Sequence, residues 1–392
     1  MDDPYTGREQ TKAKHFILKH YLQALAFKVL NFSAITYVDG FSGPWQSMTE
    51  SFSDSSFMIA LDVLKDAQKR IFDRSGVRRR IRCFFSDTNA DAISQLRLAV
   101  KPFHRVDERF EIKIFDGQFE DAVGEIQAFI DTSFALIFID PTGWVGYPFE
   151  KIKPILLRPK CEVVINFMYE FVNRFAHSDD PDIVATLDPI LGGPGWSNRL
   201  DPALSRGVAV ERLFRQSLKD VGKFKFVVST RIDRATADRP HLFMAYGTKN
   251  REGLKAFRET EYVSLREHAK NRANAKEKKR ENKSNTVDMF AGHAAEVQET
   301  TIDQLVSAEM ATASADLMET LRREGSRVFS EVVVQLLERF MLRETNVKAI
   351  CVDLAAKGRI ERTWGGGNHK PQDTDLIAPT PPDTKHNTSK RE

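Results

Sequence analysis

Hydrophobic and polar positions alternate between two periodicities over residues 11–247. Apolar side chains recur every three or four residues in the first segment, which predicts a helix over Thr11–Leu30. Five short and nearly continuous apolar runs follow, at Ile35–Phe41, Ile81–Asp87, Phe110–Asp116, Phe134–Asp140 and Cys161–Met168. Helical patterns separate several of them, at Ser56–Arg70, Ala90–Ala99 and Phe119–Ile130. Strands that alternate with helices predict βαβ units and a parallel sheet buried on both faces.

Two further strands are predicted at Phe224–Ile232 and His241–Gly247. Only residues 233–240 separate them, whereas a parallel crossover needs about a dozen residues or more. We therefore expect these strands to pair antiparallel. The predicted fold class is a doubly wound α/β sheet of seven strands with an antiparallel terminal hairpin. This arrangement resembles the sheet of S-adenosylmethionine-dependent methyltransferases.

The C-terminal third of the chain changes character. A basic stretch with few apolar positions contains Arg266, Lys270, Arg272, Lys276, Lys278, Lys279, Arg280 and Lys283, between Leu265 and Asn285. It is either a solvated helix or linker, or a contact to phosphates. Two helices are predicted next, at Ser330–Leu342 and Asn346–Lys357, the second ended by Gly358. Strand-like runs at Arg359–Trp364 and Thr374–Ile377, joined by a turn at 365–368, complete the order of a winged helix.

These shifts predict four regions. Residues 1–262 form the α/β domain, 263–320 a basic helical linker and 321–377 the winged helix. Residues 378–392 are rich in proline, threonine and lysine, which predicts a disordered tail.

Composition narrows the class of protein. Among 392 residues the net charge is only +3, so a nucleic-acid partner would depend on local cationic clusters. The three cysteines are far apart and form no CxxC pair, which argues against a zinc ribbon. Cys83 and Cys161 lie in apolar runs and are expected to be buried thiols. A polar N-terminus and short apolar runs predict a cytoplasmic protein without a signal peptide or membrane span.

Ligands of open α/β sheets bind beyond the carboxyl ends of the strands, where this chain carries acids and glycines. The first strand ends in Asp39-Gly40-Phe41-Ser42-Gly43, in which glycine permits a close backbone approach and Asp39 can orient an ammonium group. Its GxxG spacing differs from the GxGxxG of nicotinamide sites. Asp87 and Asp116 end the next two strands. They are candidates to bind ribose hydroxyls and an adenine amino group, or alternatively to cap helices.

The fourth strand ends in Asp140-Pro141-Thr142-Gly143-Trp144. An acid followed by proline at this place resembles the catalytic loop of amino-methylating enzymes. A carboxylate there can accept hydrogen bonds from an exocyclic amine and favour a more nucleophilic geometry. Trp144 either stacks on a base or belongs to the core. Asn166 completes an acceptor pocket or makes a hydrogen bond within the core.

Taken together, the motifs of this chain resemble those of the three-Cys-motif partner proteins, the TcmP-like family. The matching segments are Lys14-His15, residues 18–22, residues 37–44, Phe138-Ile139-Asp140-Pro141 with Gly143, Asn166-Phe167-Met168, Asn173-Arg174, residues 246–249 and Gly253-Leu254. The C-terminal part resembles the winged helix of related proteins. The resemblance implies a methyltransferase-like fold and a co-encoded partner, a radical-enzyme-like protein with three cysteines. Where family members often have an aromatic residue after the proline, this chain has Thr142, and Trp144 would have to replace it.

The preferred interpretation is a methyltransferase that uses S-adenosylmethionine to modify a nucleic acid, at a base amine. Its candidate cofactor residues are Lys14, His15, Asp39, Gly40, Phe41, Gly43, Asp87 and Asp116, although His15 is equally a plain helix-face histidine. Its candidate catalytic residues are Asp140, Pro141, Trp144 and Asn166. Its candidate nucleic-acid contacts are Lys357, Arg359, Arg362, His369 and Lys370, unless the winged helix binds protein. No metal site is expected.

A second interpretation remains open. The chain would be a non-catalytic scaffold that binds the three-cysteine partner through a methyltransferase-like fold. A nuclease is not favoured, because no cluster of carboxylates with a lysine has the spacing for metal-dependent cleavage. A P-loop enzyme is not favoured either, because GxxxxGK[ST] is absent.

Overall fold

The computed structural model describes residues 4–43, 47–176, 178, 180–284, 293–365 and 369–381, with only the backbone of 282–284 and 293–300. The chain forms two compact units, Met1–Glu299 and Thr300–Glu392. Pro44 of the first motif, Gly366–Asn368 of the predicted turn and residues 382–392 of the predicted tail lie outside the described residues. So do Asn285 and the Lys283 side chain.

The first unit alternates helices and strands. Its strands are β1 (Ile35–Asp39), β2 (Ile81–Asp87), β3 (Phe110–Asp116), β4 (Phe134–Ile139), β5 (Cys161–Phe167), β6 (Phe226–Asp233) and β7 (Pro240–Thr248). Its longer helices are α1 (Glu9–Val29), α2 (Ser56–Ser75), α3 (Ala90–Val100), α4 (Val123–Ile130), α5 (Phe149–Leu156), α6 (Tyr169–Phe175), α9 (Arg206–Gly222) and α10 (Arg251–Ser284). The short helices α7 (Pro181–Ala185) and α8 (Asp188–Leu191) and a 3₁₀ turn at Trp196–Arg199 lie between α6 and α9.

The seven strands form one sheet in the order β3-β2-β1-β4-β5-β7-β6. Strands β1 to β5 pair parallel, and β7 pairs antiparallel with both β5 and β6. This is the sheet of the methyltransferase-type fold, and it confirms the predicted α/β class and the antiparallel hairpin. Strands β1 and β5 are buried at every position, which explains why their residues are mostly apolar.

The first, fourth and fifth predicted strands each extend one or two residues too far, the fifth to Met168 instead of Phe167. The first strand ends at Asp39 rather than Phe41, because the Asp39 carboxylate accepts a hydrogen bond from the Phe41 backbone N–H and turns the chain. The fourth strand ends at Ile139, which leaves Asp140 in the loop beyond the sheet. The predicted helix at Phe119 begins only at Val123, and Phe119 instead packs against Gly40.

The basic stretch after residue 262 belongs to the long helix α10. This helix packs along α1. The side chains that it buries against the rest of the first unit include Leu254, Phe257, Leu265, Ala269 and Ala273. These apolar positions are too sparse to stand out among charged neighbours, but they are spaced for one face of a helix. The predicted boundaries at 262/263 and 320/321 therefore both fall within helices, the second within α11 (His293–Glu324).

A buried carboxylate ties the helix layer to the sheet. Glu162 of β5 accepts hydrogen bonds from Tyr21 of α1 at 2.5 Å and from Thr248 of β7 at 2.8 Å. The Tyr21 and Tyr246 hydroxyls also lie 2.5 Å apart. Burial raises the pKa of Glu162, although the hydroxyl donors oppose this shift. The cluster connects α1, β5 and β7 through one carboxylate. Its hydroxyl donors must therefore keep their positions for the buried carboxylate to stay hydrogen-bonded.

The second unit contains helices and one small sheet. After α11 come β8 (Arg327–Val328), α12 (Phe329–Arg339), α13 (Glu344–Ala356) and β9 (Leu376–Ile377), and β8 pairs antiparallel with β9. The two predicted helices are present. The predicted strand Arg359–Trp364 is wrong: it forms only an isolated bridge between Ile360 and Pro379, and the Thr363 hydroxyl binds the Leu376 carbonyl. The predicted hairpin would join residues 359–364 to residues 374–377, but β9 pairs with β8 instead. The winged helix therefore stays a prediction.

All three cysteines are free and buried, as predicted for Cys83 and Cys161. Burial raises the pKa of each thiol. Separately, none of the described helices is both long enough and apolar enough to cross a bilayer.

We expect Gly253→Ala to lower the free energy of unfolding by roughly 1–3 kcal/mol, because overpacking a rigid site forces its neighbours to move. An added Cβ would lie 2.3 Å from Glu162 Oε1 and 2.5 Å from the Tyr246 hydroxyl. Gly124→Ala in α4 is the matched control, since its Cβ would meet nothing within 4 Å. It should leave stability unchanged or raise it by up to about 1 kcal/mol. Urea denaturation followed by circular dichroism measures both, and equal effects would contradict the proposed packing.

Candidate active site

The parallel register brings the carboxyl ends of four strands to one edge of the sheet. Asp39 lies opposite Phe85 of β2 and Phe138 of β4, and Asp87 lies opposite Asp116 of β3. Two adjacent clefts open at this edge, with volumes of about 410 Å³ and about 470 Å³. Both fall in the range typical of small-molecule sites. We call the smaller one the strand-end cleft and the larger one the helix-side cleft.

The strand-end cleft is lined by residues that follow β1, β2, β3 and β4. They are Gly40, Phe41, Asp87, Thr88, Gly117, Gln118, Phe119, Glu120, Asp140, Pro141, Thr142, Gly143, Val145 and Gly146. Gly40 is required here, because an added Cβ would lie 2.8 Å from the Phe119 ring. A larger residue would push that ring and change the shape of the cleft.

Asp87 holds the turns around the strand-end cleft together. Its Oδ2 accepts from the Gly43 backbone N–H at 2.8 Å and its Oδ1 from the Asn89 N–H at 2.9 Å. The side chain that caps α3 is Asn89, which accepts from the Ala92 N–H at 2.9 Å. Asp87 is therefore not the capping residue that the sequence left as an alternative. Asp87 also lines the strand-end cleft, and a carboxylate oxygen can accept more than one hydrogen bond.

Two predicted cofactor residues do not line either cleft. Asp116 is exposed at the end of the edge strand β3, and Gly117 and Gln118 line the cleft in its place. Asp39 is fully buried beneath the first turn and accepts from the Ser56 hydroxyl at 2.7 Å and the Tyr37 hydroxyl at 3.2 Å. Burial raises the pKa of Asp39 to about 6, against the effect of these donors. Its carboxylate also accepts from the Phe41 backbone N–H and so shapes the first turn.

The helix-side cleft contains a lysine, an acid and an amide in contact. Lys14 Nζ of α1 lies 2.8 Å from both carboxylate oxygens of Asp140, and each of the two side chains is 13% exposed. Asn166 of β5 is fully buried and donates from Nδ2 to Asp140 Oδ1 at 2.6 Å. Asn166 Oδ1 has no hydrogen-bond partner among the described residues. Lys14 thus contacts the predicted catalytic acid.

His15 also lines the helix-side cleft. Its Nδ1 lies 3.0 Å from the Tyr5 hydroxyl. Burial, with a smaller effect of the neighbouring Lys14, lowers the pKa of His15 to about 4, so the imidazole is neutral at pH 7. It can take part in a hydrogen bond here without adding charge.

Arg8 and Asp54 close one side of the helix-side cleft, and no sequence pattern indicated either residue. Arg8 donates to Asp54 at 2.6 Å, and Asp54 also accepts from the Ser47 hydroxyl and the Met48 N–H. Burial opposes ionisation of Asp54, but these donors outweigh it and lower its pKa to about 2. Asp54 is therefore charged at pH 7 and balances the charge of Arg8.

Trp144 does not reach either cleft. Its ring packs 4.7 Å from the Phe175 ring, and its Nε1 donates to the Thr186 hydroxyl at 3.1 Å. Phe171 of α6, which is 38% exposed, lines the helix-side cleft together with Phe41. The sequence assigns Trp144 to the site from its position after the acid and proline, but its contacts with Phe175 and Thr186 hold it away from the clefts.

The five candidate nucleic-acid residues all lie on the surface of the second unit. Lys357, Arg359, Arg362, His369 and Lys370 are exposed. Lys357 forms an ion pair with Asp353 at 2.7 Å. Separately, among the described residues no group of three His, Cys, Asp or Glu side chains is arranged to hold a metal ion.

Comparison with known proteins adds little to this geometry. No family model matches the chain, and no curated protein matches it. Solved structures do match, among them a loganic acid methyltransferase with SAH. That match has 8% sequence identity, covers 78% of this chain and 92% of the other, and has a TM-score of 0.29.

We expect Asp39→Asn to change how stability depends on pH. The folded-state pKa of about 6 exceeds the usual value of about 3.9. The folded state therefore binds this proton more tightly, and the free energy of unfolding falls as pH rises from about 4 to about 6. The amide of the variant binds no such proton, so the stability of the variant relative to the natural protein should increase by up to about 1.4 kcal/mol per pH unit across that window. Urea denaturation at pH 4, 5, 6 and 7 measures this difference, and a difference independent of pH would contradict the assignment.

Proposed function

We propose that this chain is an S-adenosylmethionine-dependent methyltransferase that acts on an amine of a nucleic acid. One observation carries the proposal. The loop Asp140–Thr142 lines both clefts, so a ligand in one meets a ligand in the other at the predicted catalytic acid. The methyltransferase-type order of the sheet supports the same conclusion.

The residues of the strand-end cleft fit the cofactor. Asp87 would accept hydrogen bonds from the ribose hydroxyls, and Gly117, Gln118 and Phe119 would surround the adenine. Gly40 lets the Phe119 ring pack against the first turn at the edge of this cleft, because an added Cβ would lie 2.8 Å from that ring. When bound, S-adenosylmethionine supplies a methyl group on a sulfonium, which is electrophilic enough for direct transfer to an amine.

The helix-side cleft would hold the acceptor. The Asp140 carboxylate accepts an N–H of the acceptor amine and holds its nitrogen toward the strand-end cleft. Phe171 offers an exposed ring on which a base can stack, a role that the sequence assigned to Trp144. A base within a duplex must first be flipped out, at a cost of a few kcal/mol.

Cations beside the helix-side cleft support a polyanionic substrate. His241, which lines the cleft, shares its partner Glu170 with Arg234 and Arg239. The surrounding cluster consists of Arg231, Arg234, Arg239, Arg272 and Lys276 with the acids Glu170, Asp233 and Asp238. Five cations against three acids leave positive charge for phosphates, and Arg239 is 61% exposed. The exposed cations of the second unit would add phosphate contacts through a winged helix.

We further propose that the chain belongs to the three-Cys-motif partner family. Part of the motif set has a physical explanation in this fold. Tyr246 and Thr248 contact the buried Glu162, and Gly253 leaves room for all three. A co-encoded protein with three cysteines is then the expected partner, and a third candidate acceptor beside DNA and RNA.

Asp87→Asn should weaken S-adenosylmethionine binding about tenfold or more, because hydrogen bonds to a charged group contribute roughly 1.5–3 kcal/mol. Isothermal titration calorimetry measures the affinity. Asp116→Asn is the matched control, since Asp116 ends the neighbouring strand outside the cleft, and its affinity should not change. An equal loss in both variants would contradict the assignment of Asp87. No binding to the natural protein would overturn the enzymatic proposal and favour the scaffold.

Asp140→Ala should abolish methyl transfer while S-adenosylmethionine binds with nearly unchanged affinity. The test supplies radiolabelled cofactor and, in separate reactions, DNA, RNA and the co-encoded partner. Labelling of DNA or RNA supports the proposal, and labelling of the partner alone would replace nucleic acid as the acceptor. Equal labelling by the natural protein and the variant would refute the role of Asp140.

A further inference from the structure

We propose that Lys14 determines the specificity of the helix-side cleft: by neutralising Asp140 it restricts the acceptor to uncharged amines and excludes aliphatic ammonium groups. This inference rests on the proposed function and gives Lys14 a role other than cofactor binding. Lys14 would be a specificity-determining residue that acts through Asp140.

The contact between Lys14 and Asp140 is an ion pair with little access to water. The ammonium nitrogen lies 2.8 Å from both oxygens, and each side chain is only 13% exposed. A lysine in this place occupies the same carboxylate that would bind a cationic substrate. Its positive charge also repels a second ammonium group brought to that carboxylate.

Among the described residues that line the cleft, no carboxylate lacks a cationic partner. Asp54 is paired with Arg8 at 2.6 Å. His15 from α1 is neutral at pH 7. His241 from β7 contacts Glu170, which Arg234 and Arg239 also bind. The two carboxylates that line the cleft, Asp54 and Asp140, therefore each have a cationic partner.

The cleft also contains an uncharged hydrogen-bond acceptor for a neutral amine. Asn166 lines the cleft, and its fully buried Oδ1 has no partner among the described residues. The orientation of this amide is fixed, because Nδ2 donates to Asp140 Oδ1 at 2.6 Å and the flipped amide would place two acceptor oxygens together. A buried acceptor without a partner is costly, and an amine N–H would satisfy it. The cleft therefore offers hydrogen bonds rather than net charge, which suits the exocyclic amine of a nucleobase.

Lys14→Met tests the inference, because methionine has a similar length and no charge. The probes are n-butylammonium, a cation, and cytosine, a neutral amine, titrated by calorimetry into the full-length protein at pH 7. The natural protein should bind cytosine and show no saturable binding of n-butylammonium. Lys14→Met should show saturable binding of n-butylammonium, with an affinity at least tenfold above the detection limit set by the natural protein. Cation binding by the natural protein as tight as that by the variant would overturn the inference, and so would no gain in the variant.

Two controls separate the effect of this charge from other causes. Lys12→Met removes the neighbouring lysine of α1, which donates to Asn271 at 3.0 Å and does not line the cleft, and it should bind no cation. The double variant Lys14→Met/Asp140→Asn removes both charges and should also bind no cation. It leaves neither charge of the pair without its partner, so it can be measured even if the single variant is unstable. Cation binding by either control would contradict the role of the Lys14–Asp140 pair. Cofactor affinity and methyl transfer are measured separately, so failure of the proposed reaction would be distinguishable from failure of this inference.

Discussion

Parallel pairing of the first five strands is the constraint on which the site depends. Because β1, β2, β3 and β4 run in the same direction and in register, their carboxyl ends meet at one edge of the sheet. Residues 100 positions apart in the sequence, such as Gly40 and Asp140, therefore line one cleft. The helix layer is held against this sheet by the buried Glu162 and its hydroxyl donors, which keeps α1 and its Lys14 beside the strand ends.

The same type of side chain serves different purposes at this edge, and the environment decides which. Asp39 is fully buried and bonded to its own turn, so it supports structure. Asp87 connects two turns and borders the strand-end cleft. Asp140 is paired with a lysine at the junction of the two clefts. Whether a carboxylate at a strand end can bind a ligand thus depends on the hydrogen bonds and ion pairs that it already makes within the protein.

The two clefts divide the proposed reaction between them. The strand-end cleft has glycines and an acid suited to a nucleoside, whereas the helix-side cleft has balanced charges, an aromatic ring and a buried amide oxygen. Balanced charge inside and cations around the rim are complementary features. Phosphates would be held outside, while a neutral base amine enters the cleft.

The sequence by itself determined the sheet class, the antiparallel hairpin and the strand ends that carry Gly40, Asp87 and Asp140, because buried parallel strands leave nearly continuous apolar runs and short connections exclude crossovers. It could not determine where single side chains point. Only the tertiary structure turned Asp39 inward, held Trp144 against Phe175 and placed Lys14 on Asp140. It also brought Arg8, Asp54 and Phe171 to the cleft. Such contacts join distant segments, and local periodicity carries no information about them.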